Sequence, residues 1–278
     1  MKQFTPPLKS QGIKTRLTDW IRETIPGSIS GRWIEPFMGT GVVGFSLADD
    51  FPELVMADSN PHVIRFYDSL ANRTITGGGV REYLEREGRR LANQGESVFY
   101  EIRERFNRLG DPLDFLFLNR ACFNGIIRFN RKGEFNVPFC RKPNRFASAY
   151  ITKIVHQIEA AAKILKSRPI SFACQSFEET IAGATKQDLI YCDPPYIARH
   201  ADYYNGWTED SERKLFDCLD SSPAPFIVST WFGNQYRTNP YLTTIWSKYT
   251  ILSREHFYFV GGHESNRGSM TEALIVKR

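Results

Sequence analysis

The feature that most restricts this chain is a short apolar run, Arg32-Trp33-Ile34, feeding into Glu35-Pro36-Phe37-Met38-Gly39-Thr40-Gly41-Val42-Val43-Gly44. A second apolar run, Glu53–Ala57, follows and stops at Asp58, seventeen positions after Gly41. G-x-G-x-x-G between a strand and a helix, with an acid beyond the next strand, fits a β-α-β unit whose glycines let the backbone turn closely around a ligand. A helix is expected over Val42–Ala48, and another from Pro61, where Val63, Ile64, Tyr67 and Leu70 share one face. Upstream, Leu17, Trp20, Ile21 and Ile25 predict a helix over Thr15–Ile25 that Pro26-Gly27 ends. This order implies a doubly wound α/β sheet.

The alternation then breaks. Gly77-Gly78-Gly79 reads as a loop and Val80–Leu109 as a charged helical stretch. Two β-type runs, Ile126–Asn130 and Glu134–Phe139, flank Arg131-Lys132-Gly133 and predict a hairpin with Gly133 in the left-handed position. Between Asn119 and Arg145 there are seven basic residues against Glu134 alone. The whole chain carries +5, so the basic excess belongs to this segment. An amphipathic helix through Ile151, Ile154, Val155, Ile158 and Leu165 restores the pattern. Strands are expected at Ile170–Cys174, Asp188–Cys192, Phe226–Thr230, Thr250–Val260 and Ala273–Val276. One sheet domain interrupted by a basic insert is the simplest arrangement.

The sharpest chemical signal is Asp193-Pro194-Pro195-Tyr196 at the end of the fourth of these apolar runs. Such a tetrapeptide arises by chance in roughly one chain per thousand of this length, which weighs against a mere rigid turn. Two prolines stop the strand and leave carbonyls without N–H donors. The strand tip then offers a carboxylate, a fixed carbonyl and an aromatic face together. An exocyclic amino group on a nucleobase is a poor nucleophile because its lone pair is delocalised into the ring. If a carboxylate and a carbonyl accept one N–H each, the nitrogen can pyramidalise and the lone pair becomes available. Tyr196 can stack on the base, and Asp193 acts first through geometry and charge.

Glu35 beside the glycine loop suits a ligand with positive charge, such as an amino acid with a sulfonium, better than a pyrophosphate. Asp58 can take ribose hydroxyls.

Taken together, these motifs resemble the Dam-type DNA adenine-N6 methyltransferases, the alpha-group enzymes that order cofactor loop, recognition insert and catalytic tetrapeptide in this way. The resemblance runs almost end to end. Lys9-Ser10-Gln11-Gly12-Ile13-Lys14 is similar to the family's KWxGGK motif, with Ser10 and Ile13 departing from it; Gly12 and Lys14 are kept. Phe37–Gly41 and Ala57-Asp58-Ser59-Asn60 match the cofactor motifs, and Asn119–Gly125 and Gly133–Phe139 are close to the recognition hairpin.

The resemblance implies a Rossmann-like doubly wound methyltransferase sheet, residues 1–61 plus 149–278, with a mostly helical DNA-recognition insert at 62–148 carrying a β-hairpin. It implies S-adenosylmethionine as methyl donor, held by Gly12, Lys14, Glu35, Pro36, Phe37, Gly39, Gly41, Asp58, Asn60, Phe177 and Asp193, with Phe177 against its adenine. Asp193, Pro194, Pro195 and Tyr196 would be catalytic. Double-stranded DNA would be met by Lys9, Arg120, Asn130, Arg131, Lys132, Arg141 and Lys142. Arg128 would read a guanine, with Ile126 and Pro138 touching bases. Phe123 and Asn124 would fill the gap left by a flipped adenine, in a site containing GAT, such as GATC.

The aromatic loop Tyr203–Trp207 reads either as a lid near the flipped base or as a packed surface loop. Cys192 reads as a core residue. The histidines show no metal-ligand spacing, so no metal is expected. Five cysteines without a CxxC pair, no long apolar span and no signal-like N-terminus point to a reduced cytoplasmic protein, expected to be a monomer and to lack membrane contact. Two alternatives stay open here: a nicotinamide-dependent oxidoreductase using the glycine loop, and a methyltransferase acting on RNA or protein. A non-catalytic DNA-binding protein on an enzyme fold is a third, and intact Asp193 and Tyr196 weigh against it.

Overall fold

The computed structural model describes residues 4–196, 207–233, 237–257 and 269–278. Seven strands form one sheet: β1 (Trp33–Glu35), β2 (Leu54–Asp58), β3 (Ile170–Cys174), β4 (Leu189–Cys192), β5 (Phe226–Gly233), β6 (Thr250–Phe257) and β7 (Ser269–Lys277). Their order is β3-β2-β1-β4-β5-β7-β6. The first five are parallel, and β7 runs antiparallel between β5 and β6. From β1 the order grows one way through β2 and β3 and the other way through β4 and β5. The crevice beyond the carboxyl ends of β1 and β4 is therefore the topological switch point, where open α/β sheets place ligands. The glycine loop leaves β1 there, and Asp193-Pro194-Pro195-Tyr196 leaves β4 beside it.

Neighbouring strand residues divide between two cores, as a period of two demands. Trp33, Met56, Tyr191, Ile227 and Leu274 face α1 (Thr18–Thr24), α2 (Val42–Ser46), α3 (Pro61–Ala71) and the helices of the insert. Ile34, Ile190, Cys192, Val228 and Ile275 face the opposite core with the helices that follow β3, β4 and β5. A sheet covered on both faces explains strands that read as continuous apolar runs.

The insert contains α4 (Gly77–Gln94), α5 (Ser97–Leu109) and α6 (Pro112–Ala121), and α7 (Ser148–Ser167) returns the chain to β3. The helices α8 (Phe177–Ala182), α9 (Glu209–Ser221) and α10 (Tyr241–Thr244) complete the second face. α6 was not legible as a helix because Phe115, Leu116, Phe117 and Leu118 are all fully buried, leaving no polar stripe to mark a period. The charged stretch is two helices, since Gly95 at φ 75° breaks it. The expected loop Gly77–Gly79 is instead the first turn of α4, capped by Thr76 Oγ1, which accepts from Gly79 N at 3.2 Å. A side chain at Gly77 would come within 3.1 Å of Glu159 on α7, so this glycine serves close helix packing. The hairpin forms without regular strands: single bridges pair Phe129 with Phe135 and Cys122 with Phe139. Gly133 takes φ 77°, as its place in the turn requires.

α3 packs on β2 and β3, and one apolar core continues from the sheet through α4, α5 and α6. Residues 258–260 of the expected sixth strand lie outside the described residues, as do 203–206 of the aromatic loop.

Candidate active site

The glycine loop bends at two left-handed residues, Gly39 at φ 48° and Gly41 at φ 68°. At Gly41 a Cβ would also strike the Phe45 ring at 2.6 Å, so both conformation and space require glycine there. Tyr67 O–H from α3 donates to Thr40 O at 2.5 Å and pins the far side of the loop. At the tip of β2, Asp58 accepts from Gly39 N through Oδ2 and from Asn60 N through Oδ1, both at 2.8 Å. Burial raises the Asp58 carboxyl above its ordinary value, against the pull of those two amides. Each oxygen keeps a further lone pair for a ligand hydroxyl. Asn60 itself caps α3, its Oδ1 accepting from His62 N at 3.0 Å.

Glu35 closes β1 and is only 2% exposed. Its Oε2 accepts from Trp33 Nε1 at 2.8 Å, and a Cβ on Gly44 would come within 2.6 Å of the same oxygen. Burial pushes its pKa up to about 8, opposed by Trp33 and aided by the charges of Asp193 and Asp58. In the absence of a cation, burial favours the neutral acid, and a positively charged ligand beside the loop would draw it back towards the carboxylate. Phe37 stacks on Phe177, the first residue of α8, with centroids 5.5 Å apart and planes at 26°. Trp207 meets Phe37 edge-on at 5.6 Å and lies 5.8 Å from Phe177. Its indole N–H donates to Glu212 Oε2 at 2.5 Å.

The tetrapeptide is held by residues from distant parts of the chain. Lys14, 4% exposed, lies 2.9 Å from Asp193 Oδ1 through Nζ and donates to Gly12 O at 3.0 Å. Gly12 takes φ 72° to present that carbonyl. Lys14 Nζ also sits 4.8 Å from the centre of the Tyr196 ring, a cation–π distance. From β5, Ser229 Oγ donates to the same Asp193 Oδ1 at 2.9 Å and lies 3.0 Å from Tyr191 O–H. Both donors converge on one carboxylate oxygen. Oδ2 has no partner among the described residues, on a side chain that is 24% exposed. A carboxylate fixed through one oxygen and open at the other is an acceptor prepared for an incoming N–H.

The basic hairpin lies beside the N-terminal segment. Asn119, fully buried, accepts from Lys9 N at 2.7 Å and donates to Lys9 O at 2.9 Å and Gly125 O at 3.1 Å. Gly125 at φ 67° lets Lys9 approach, since a Cβ would come within 2.6 Å of the Lys9 side chain. Phe123 is 52% exposed, and Asn124 next to it takes φ 54°. Arg128 Nε donates to Asn136 Oδ1 at 2.9 Å across the hairpin. Arg131, Lys132, Pro138, Arg141 and Lys142 are exposed, and Ile126 is half-buried.

Residues 10–260 match the family model of the D12 class N6 adenine-specific DNA methyltransferases. The chain belongs to that family. It is similar to the type II methyltransferase M.FokI of Planomicrobium okeanokoites, 30% identical over 97% of this chain, and spans only 42% of that protein's length. It is also similar to the DNA adenine methylases of Vibrio cholerae (32% identical, 86% of this chain and 84% of the relative) and Salmonella typhi (36%, 82% and 81%). Membership sets aside the nicotinamide-dependent oxidoreductase that the glycine loop alone left open.

Within this D12-class methyltransferase, the structure gathers Gly12, Lys14, Asp193 and Tyr196 at one point and Phe37, Gly39, Gly41, Asp58 and Phe177 around the neighbouring crevice. Pro194 is buried and Pro195 half-buried between them. One expectation for the insert is corrected. Arg120 is 2% exposed, pairs with Gln157 Oε1 and lies against Tyr150, so it is a core group rather than a surface phosphate contact. Asn130 builds the hairpin turn, its Oδ1 accepting from Lys132 N at 2.9 Å and Glu134 N at 3.0 Å. Sequence reasoning missed Ser229 and also Glu272, whose Oε2 accepts from the Tyr196 O–H at 2.5 Å. A polar residue inside the apolar run Phe226–Trp231, and an acid at the mouth of Ala273–Val276, were the available signals. Trp207, the last residue of the loop read either as a lid or as a packed surface loop, lies against Phe37 and Phe177.

Proposed function

We propose that this protein flips an adenine out of duplex DNA and methylates its exocyclic N6 amino group from S-adenosylmethionine, at a GATC-like or other GAT-containing site. The observation that supports this most is the asymmetric anchoring of Asp193, with Oδ1 held by Lys14 and Ser229, Oδ2 without a partner among the described residues, and the same Lys14 lying against the Tyr196 ring.

The residues present fit the cofactor. Left-handed Gly39 and Gly41 bare the loop backbone, Asp58 is fixed by two amides for ribose hydroxyls, and Phe37 with Phe177 offers an aromatic surface for an adenine. Gly12, Lys14, Glu35, Pro36 and Asn60 complete that set, with Asn60 acting through the α3 cap. When bound, S-adenosylmethionine supplies an electrophilic methyl group. The protein's part is to make the amino nitrogen nucleophilic. Asp193 Oδ2 accepts one N–H and the Pro194 carbonyl the other, drawing the lone pair out of conjugation. Tyr196 holds the base by stacking, worth about 1–3 kcal/mol. Asp193 Oδ2 is then the atom placed to take up the proton the nitrogen sheds.

The insert, residues 62–148, delivers the base. Arg131, Lys132, Arg141 and Lys142, with Lys9, supply phosphate contacts that position the duplex. Arg128, Ile126 and Pro138 read the major groove. The exposed Phe123 ring and Asn124 occupy the space the adenine leaves. The protein works as a monomer in the cytoplasm. Incubation with labelled S-adenosylmethionine and mixed-sequence duplex DNA, followed by digestion to nucleosides, tests the reading. Label in N6-methyladenine supports it, and label only in cytosine or no label in adenine overturns it.

A further inference from the structure

We propose that Glu272 on β7 is a positioning residue that orients the Tyr196 ring for base stacking; the proposal rests on the adenine-methylating reading of the tetrapeptide. Glu272 is fully buried and is followed along the strand by the buried apolar run Ala273, Leu274, Ile275 and Val276. A carboxylate in such surroundings is costly unless it is paired. Its Oε2 accepts the Tyr196 O–H at 2.5 Å, the short bond expected of a hydroxyl on a carboxylate.

The two prolines fix the backbone that leads to Tyr196 but not its side-chain torsions. A ring held at its base by the chain and at its tip by Glu272 has both torsions set. Lys14 Nζ lies against that ring and holds Asp193 Oδ1, so ring and carboxylate are fixed in one frame. Stacking needs only a π face, which phenylalanine would provide equally well. The hydroxyl of Tyr196 is explained by the anchor at its far end. Ser229 on β5 does for Asp193 what Glu272 on β7 does for Tyr196, and in the ladder β7 lies next to β5 with Trp231 opposite Glu272. The antiparallel seventh strand thus brings a carboxylate to the catalytic end of an otherwise parallel sheet.

The test is a double-mutant cycle on the full chain with Glu272→Ala, Glu272→Gln, Tyr196→Phe and Tyr196→Phe combined with Glu272→Ala. Methyl transfer to duplex DNA, cofactor affinity, thermal midpoint and the emission of 2-aminopurine at the target position are measured for each. Misaligning the ring lowers kcat by about 10–100-fold, with cofactor affinity unchanged. Tyr196→Phe removes the same bond and gives a similar loss, and the double variant is no worse than the more impaired single. Glu272→Gln restores most of the turnover, because its amide oxygen still accepts. Target-base emission changes in Glu272→Ala while folding does not. Wild-type kcat in Tyr196→Phe, multiplied losses in the double variant, or no recovery in Glu272→Gln overturns the proposal. If Glu272→Ala does not fold, Tyr196→Phe and Glu272→Gln decide alone. A wild-type protein that methylates no adenine overturns the underlying reading as well, whereas an active wild type with an unimpaired Glu272→Ala overturns the positioning role only.

Discussion

The carboxyl edge of the sheet and the basic hairpin handle charge in opposite ways. At the sheet edge Lys14, Glu35 and Glu272 are buried, and each is held by a partner: Lys14 by Asp193, Glu35 by Trp33 two residues earlier on β1, and Glu272 by Tyr196. In the hairpin Arg131, Lys132, Arg141 and Lys142 stand exposed on loops whose shape is fixed by others, such as Asn130 and Gly133. The difference follows from what each region must do. Acceptors that reshape a nitrogen lone pair act only if their positions are set before the base arrives. Contacts to a polyanion gain more from accessible charge than from a single geometry.

The contrast is broken most severely at Lys14. Lys14→Ala removes the cation from Asp193 Oδ1 and from the Tyr196 face together, and kcat should fall about 10²–10³-fold with DNA affinity little changed. Arg128→Ala should weaken specific binding by about 1–3 kcal/mol and relax the choice of base at one position, measured by binding to a panel of sites. Arg131→Ala with Lys132→Ala should instead weaken all duplexes alike and reduce the slope of log affinity against log salt by about two. Ser229→Ala removes one of two donors to Asp193 and should cost about tenfold in kcat, with thermal stability nearly kept. The mildest effect is one of pH. Glu35 titrates near 8 when no cation is beside it, and a cationic ligand lowers that value. Binding of S-adenosylmethionine should then release a proton at pH 7 and tighten as pH rises from 6 towards 8. Calorimetry in buffers of different ionisation enthalpy reads this directly, and Glu35→Gln should abolish the release.

How far the sequence speaks differs between the same two regions. The tetrapeptide was legible because its residue types are rare together, the glycine loop and Asp58 because they sit at fixed places in a strand–helix–strand pattern, and Lys14 only through the resemblance of residues 9–14 to a family motif. The parallel strands β1, β2, β4 and β5 are largely buried, so apolar runs located them. Ser229 and Glu272 were not legible as functional because their meaning depends on which strands lie beside β4, and the order β4-β5-β7 is a property of the sheet alone. In the insert, composition announced a basic surface but could not sort its members. Arg120 looks like its neighbours in sequence yet ends inside the core, because α6 turns it towards Gln157 on α7. Asn119, one position earlier, became the latch on Lys9 for the same reason. A helix buried on every side, polar residues included, gives no period from which to read which residues face outward.

The account stands on Asp193 Oδ2 as the acceptor that makes an extruded adenine's amino nitrogen nucleophilic. Pre-steady-state methyl transfer by Asp193→Ala, alongside equilibrium binding of cofactor and target duplex, tests that statement most directly. The account predicts single-turnover transfer slowed by about 10³-fold or more, with both affinities within a few-fold of the unaltered protein. Transfer at an undiminished rate, or a loss confined to binding, would contradict it.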